Sequence, residues 1–97
     1  MTYADSIKIT LSGLKSELTQ KYHVSSIGIF GSAVREDFSA DNSDIDIIVD
    51  FSMPIGVEFI DLAAFLESKL HRKVDLVSRK GIKEAYYREI EREIIYV

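Results

Sequence analysis

The sequence contains no cysteine and no tryptophan, and only one proline and two histidines among its 97 residues. Without cysteine there are no disulfides, thiolate zinc sites or cysteine nucleophiles, which fits a reducing compartment. Two histidines are too few for a histidine-rich metal centre. There is no long apolar run, and the opening segment from Met1 to Thr10 carries Asp5 and Lys8, so neither a membrane span nor a signal peptide is expected. Basic residues are outnumbered, with 12 Lys and Arg against 16 Asp and Glu, for a net charge of −4 with His neutral. That balance lacks the broad basic footprint of a DNA or RNA binder, and direct nucleic-acid binding is not expected. A cytoplasmic location is the expectation. The remaining composition, 46% hydrophobic and 29% charged, suits one small packed domain over residues 1–97.

Hydrophobic periodicity divides the chain. Ile7, Leu11, Leu14 and Leu18 recur at helical spacing, with Lys8, Lys15, Glu17 and Lys21 on the other face, and predict a first amphipathic helix. The period then changes. Val24 to Phe30 reads as a buried strand closed by a turn at Gly31-Ser32. Ala33 to Ser43 is polar and acidic, with at most one helical turn around Val34 and Arg35. Asp44 to Phe51 predicts a second strand, with Ile45, Ile47 and Val49 on one side and Asp44, Asp46, Ile48 and Asp50 on the other. After Pro54 and Gly56, a second helix carries the stripe Phe59, Ile60, Ala63, Leu66 and Leu70, and ends in His71-Arg72-Lys73. Val74 to Val77 predicts a third strand with Asp75 opposite Val74 and Leu76. A last helix is expected from Ile82 to about Ile94, with Ile95 to Val97 as a short tail or strand. This order predicts an α/β or α+β fold, a small mixed sheet with helices packed on it. The short link between the first two strands makes them an antiparallel pair and sets the Gly31-Ser32 turn beside Asp44.

Asp44 and Asp46 stand at i and i+2 of one strand, so they share a face, roughly 6–7 Å apart at the backbone. Like charges held so close on a partly buried strand are costly unless a cation compensates, and Mg²⁺ is the usual solution. If the third strand brings Asp75 alongside, the result is an oxygen-rich site with open coordination positions. Mg²⁺ characteristically completes its shell with water and substrate phosphates, so the pattern points to a nucleoside triphosphate. One or two ions on these carboxylates would activate an attacking hydroxyl and stabilise leaving pyrophosphate. A glycine at the end of a strand lets the backbone approach a phosphate, and the Ser32 hydroxyl can donate to it. Arg35 could add a phosphate contact or could neutralise Glu36, Asp37 or Asp41.

Phe30-Gly31-Ser32, then Asp44-Ile45-Asp46-Ile47, and later Val74-Asp75-Leu76, resemble the polymerase beta nucleotidyltransferase superfamily. The stretch from Gly31 through Phe51, with Ser43-Asp44-Ile45-Asp46-Ile47-Ile48-Val49-Asp50-Phe51, most resembles its minimal nucleotidyltransferase (MNT) group. The resemblance spans nearly the whole chain. It implies the polymerase beta-like fold, Mg²⁺ as cofactor and ATP as substrate. It gives Gly31 and Ser32 to triphosphate binding, and Asp44, Asp46 and Asp75 to metal binding and catalysis, with Asp75 also helping to deprotonate the acceptor. Arg35 matches the Arg of the group's Gly-Ser-x-Ala-Arg-Gly turn. Val34 and Glu36 depart from that pattern, and the loop to Asp44 is a residue longer than in many relatives.

Members of the group are typically antitoxins paired with a HEPN-domain ribonuclease toxin, and some transfer AMP from ATP onto a tyrosine of that toxin. The resemblance thus implies a HEPN toxin as partner and protein adenylylation as the activity. A chain this short leaves the acceptor site to that partner or to a second copy of itself. Two other functions fit the same residues: an antitoxin that occludes its toxin without catalysis, and a small-molecule nucleotidyltransferase. Several residues read more simply. Asp50 is an exposed strand end, Arg79 and Lys80 are solvated surface, and one of Tyr86 and Tyr87 is buried against the sheet. His23 and His71 have no catalytic partner.

Overall fold

The computed structural model describes residues 2–35 and 44–97. Glu36, Asp37, Asp41 and Ser43, which figure in the sequence reading, lie outside the described residues. The first helix, α1 (Tyr3–Tyr22), begins before Ile7 because Thr2 caps it. The Thr2 side chain accepts from the Asp5 amide at 3.1 Å, and Asp5 Oδ2 accepts from the Thr2 amide at 3.0 Å. This reciprocal box satisfies two amides that the helix cannot. His23 ends α1 in the left-handed region at φ 58°, and His71 ends α2 (Glu58–Leu70) the same way at φ 55°. Each donates its backbone N–H to a carbonyl of the preceding turn, Leu18 for His23 and Glu67 for His71. Both histidines therefore terminate helices.

The strands β1 (Val24–Phe30), β2 (Ile45–Phe51), β3 (Val74–Ser78) and β4 (Ile95–Tyr96) form one mixed sheet in the order β3-β2-β1-β4. β1 pairs antiparallel with β2 and β4, whereas β2 and β3 run parallel, a pairing made possible by the crossover through α2. One face of the sheet is the main core. There Ile27, Ile29, Ile45, Ile47 and Val49 pack against Leu11 and Leu18 of α1 and Leu62 and Leu66 of α2. Fully burying each such side chain contributes about 1.5–3 kcal/mol. The expected stripe of α2 needs correcting: Ile60 is 71% exposed and Leu62 is fully buried. The face that packs runs through Phe59, Leu62, Leu66 and Leu70, a spacing of three and four that excludes Ile60.

The opposite face holds a second, smaller core. Phe30 and Ile48 meet Ile90 of α3 (Glu84–Ile90), with Val77, Ile82, Tyr87 and Ile94 packed around them. Thus the strand face that bears Asp46 and Asp50 is roofed over Ile48, which is only 2% exposed. α3 is shorter at both ends than the expected Ile82–Ile94. Lys83 before it is extended, at ψ 143°, and after Ile90 the chain turns, with the Glu93 amide donating to the Ile90 carbonyl at 2.9 Å. That turn lets β4 reach β1, so the C-terminal segment is a strand and not a tail. Gly28 permits the approach, because a Cβ there would stand 2.7 Å from Ile94 Cγ2.

Candidate active site

The register of the sheet assembles the acidic group. Asp46 of β2 is the lateral partner of Phe30 at the end of β1 and of Asp75 on β3. Because β2 and β3 run parallel in that register, the two carboxyls project from the same face and share a hydrogen bond. Asp44 stands exposed just ahead of β2, and the ladder to β3 opens at the next residue, where the Ile45 amide donates to the Lys73 carbonyl at 2.9 Å. Asp46 is half-buried and its pKa is pushed up to about 6. Burial contributes most, followed by the charge of Asp75, their shared hydrogen bond and the charge of Asp44, while Arg35 pulls the other way. Among the described residues, no three His, Cys, Asp or Glu side chains close into a ready-made metal cage. The site is instead an open carboxyl pair with Asp44 at its rim.

Directly after β1, Gly31 to Ala33 form a 3₁₀ turn, followed by Val34 and Arg35. Gly31 has φ 76°, which a residue with a side chain adopts only at a cost. A Cβ at this position would also run into Asp46 Oδ2 and come within 3.0 Å of its Cγ. Glycine is thus required twice over where the turn meets the carboxyl pair. Ser32, half-buried, follows on this turn. The Gly31 amide donates to Glu93 Oε1 at 3.0 Å, and Arg35 Nη1 lies 3.3 Å from Glu93 Oε2. Glu93 is a residue that the sequence reading missed.

Tyr86 of α3 closes the same face. Its ring meets the Phe30 ring edge-on, with centroids 6.4 Å apart, while its own side remains 41% exposed. Burial raises the Tyr86 phenol above its ordinary value, and the charges of Asp46, Asp75, Glu93 and Glu89 add to the shift. Tyr87 is the tyrosine packed against the sheet, and the Arg79 guanidinium lies 3.5 Å from its ring centroid. Arg79 also pairs with Glu84 at 3.5 Å, whereas Lys80 is exposed beside a cavity of about 430 Å³. That cavity opens at the far end of β2, around Asp50, Phe51 and Phe59, away from Asp46 and Asp75.

A mixed four-stranded sheet that sets a Gly-Ser turn against paired aspartates is the fold of the minimal nucleotidyltransferases. A solved structure described as a minimal nucleotidyltransferase superposes with a TM-score of 0.78 at 25% identity, covering 98% of this chain and 95% of the other. The chain belongs to the nucleotidyltransferase family, whose domain model matches residues 11–97, and it is accordingly a nucleotidyl-transferring enzyme. It is also 39% identical over 98 residues to the protein adenylyltransferase MntA of Thermococcus cleftensis, an alignment spanning 100% of this chain and 98% of that one. The fold recurs in the complex of a tri-AMPylated Shewanella oneidensis HEPN toxin with its MNT antitoxin. There the TM-score is 0.67 at 22% identity, over 93% of this chain and 70% of the other. Among the described residues, no helix is long and apolar enough to cross a membrane.

Proposed function

We propose that this enzyme transfers AMP from ATP to a tyrosine hydroxyl of a HEPN-domain toxin and thereby acts as its antitoxin. The observation that carries this reading is the convergence of Asp46, Asp75 and the Gly31-Ser32 turn at one end of the sheet. The likeness to MntA supports the nature of the transferred group, and the fold shared with the MNT half of a toxin complex supports the partner.

The donor set fits a hard divalent cation. Burial, with the charge of Asp75 second, raises the Asp46 carboxyl to about 6, a cost to the ionised form that a bound cation would offset, and Asp44 supplies a further oxygen donor at the rim. These three residues would hold Mg²⁺, which when bound supplies positive charge for the triphosphate and for the leaving pyrophosphate. The chain's own residues do the rest. Gly31 lets the backbone approach the triphosphate, and the Ser32 hydroxyl donates to a phosphate oxygen. Arg35 completes this turn. Asp75 takes the proton as the tyrosine oxygen attacks the α-phosphorus, the bond from that phosphorus to the bridging oxygen breaks, and pyrophosphate departs.

The test is neutralisation in cells that express the HEPN toxin proposed as partner. Wild type is expected to restore growth, and Asp44→Asn and Asp46→Asn are expected to fail although they are folded and still bind the toxin. Growth restored equally by the variants would overturn the catalytic reading in favour of occlusion.

A further inference from the structure

Glu93 lies at the edge of the proposed active site, and its position follows from the sheet. β4 pairs with β1 through Gly28 with Tyr96 and Ile29 with Ile95. Continuing that antiparallel register sets Glu93 opposite Gly31. At this point the side chain takes over from the backbone. Glu93 Oε1 accepts from the Gly31 amide at 3.0 Å, and both carboxylate oxygens meet Arg35 Nη1, at 3.4 and 3.3 Å. The Glu93 side chain is 22% exposed and that of Arg35 55%, so the contact with the Gly31 amide is the sheltered one and the ion pair reaches into solvent. Gly31 is consequently gripped from two sides. Its amide is held from the β4 side, and its α-carbon lies against the Asp46 carboxyl on the β2 side.

The geometry points to Glu93 as a positioning residue of nucleotidyl transfer. It fixes the left-handed conformation of Gly31 and anchors Arg35, so that Ser32 is presented to the triphosphate. Arg35 then acts through the turn and not as a direct phosphate ligand, and the Gly31 amide is spent on the protein itself. This inference rests on the reading of the Gly31-Ser32 turn as the triphosphate site. The opposite arrangement, in which Glu93 occupies the phosphate position and must leave, predicts effects of opposite sign.

The test measures binding of a non-hydrolysable ATP analogue with Mg²⁺ by calorimetry, together with KM and kcat for AMP transfer, in wild type, Glu93→Ala, Glu93→Gln, Arg35→Ala and the Glu93→Ala/Arg35→Ala double variant. Glu93→Ala is expected to bind the analogue about tenfold more weakly, the scale of a lost hydrogen bond to a charged group. KM should rise in step while kcat changes little. Glu93→Gln, which still accepts from the Gly31 amide, should recover part of the loss and keep the inference testable if the alanine variant folds poorly. The double variant should match Glu93→Ala, because Arg35 acts on the turn through Glu93. Tighter binding by Glu93→Gln, unchanged binding by both Glu93 variants, or additive losses in the double variant would each overturn the inference. Absence of analogue binding by wild type would overturn the triphosphate reading itself, and the inference with it.

Discussion

Replacing Asp46 with Asn removes the charge that the fold holds at greatest cost. A carboxyl moved from its ordinary 3.8 to about 6 corresponds to about 3 kcal/mol at neutral pH, at 1.36 kcal/mol per tenfold change in proton affinity. Asp46 is only half-buried, and solvent screening reduces this to about 1–1.5 kcal/mol. The sign follows from proton linkage. Between pH 3.8 and about 6 the folded state binds more protons than the unfolded chain, so wild type loses stability relative to Asp46→Asn as pH rises through that window. Below it the two proteins converge. Asp46→Asn also keeps a donor for Asp75, so it needs no repacking. At pH 7 in EDTA the variant is expected to melt about 5–10 °C above wild type, while transferring no AMP. Urea or thermal unfolding at pH 4, 5, 6 and 7 measures this. A variant less stable than wild type at pH 7, or a difference that stays flat across these pH values, would refute the electrostatic account of the site.

Other perturbations probe other parts of the structure. Gly31→Ala places a Cβ against the Asp46 carboxyl and forces an L residue to φ 76°, so it should cost about 1–3 kcal/mol in denaturant unfolding and abolish nucleotide binding by calorimetry. Leu62→Ala should cost about 2–5 kcal/mol, whereas Ile60→Ala, on the solvent side of α2, should stay within about 0.5 kcal/mol of wild type in the same titration. Mg²⁺ with an ATP analogue should raise the melting temperature of wild type and leave that of Asp46→Asn unmoved in thermal-shift measurements, because ligands that bind only the folded state stabilise it.

The geometry of the candidate site was more legible in the sequence than that of its surroundings, for physical reasons. Asp46 and Asp75 are legible because strand alternation fixes the face on which each projects, and their observed pairing needs only a one-to-one register, whereas Asp44 stands just ahead of the strand that was expected to carry it. The Gly-Ser turn is legible because few residues tolerate a left-handed conformation after a buried strand. The α2 stripe was misread at Ile60 because a helix of 13 residues offers two overlapping apolar stripes, and only the position of the sheet chooses between them. Ile48 could be placed only on the carboxylate-bearing side of its strand, because the roof that buries it comes from α3, far later in the chain. Glu93 was invisible for a similar reason. In a run of Glu and Arg it reads as one more solvated helical position, and only the turn after Ile90 and the pairing of β4 with β1 bring it to Gly31. Contacts set by local period can be read from the chain, whereas those made by a late segment folding back cannot.

The most direct test of the central claim is intact-mass measurement of this chain and the HEPN toxin proposed as its partner after incubation with Mg²⁺ and ATP, with Asp44→Asn/Asp46→Asn as control. The expected result is a gain of AMP on the toxin, mapping to a tyrosine and absent in the control. A stable complex of the two unmodified proteins, formed alike by wild type and control, would contradict it.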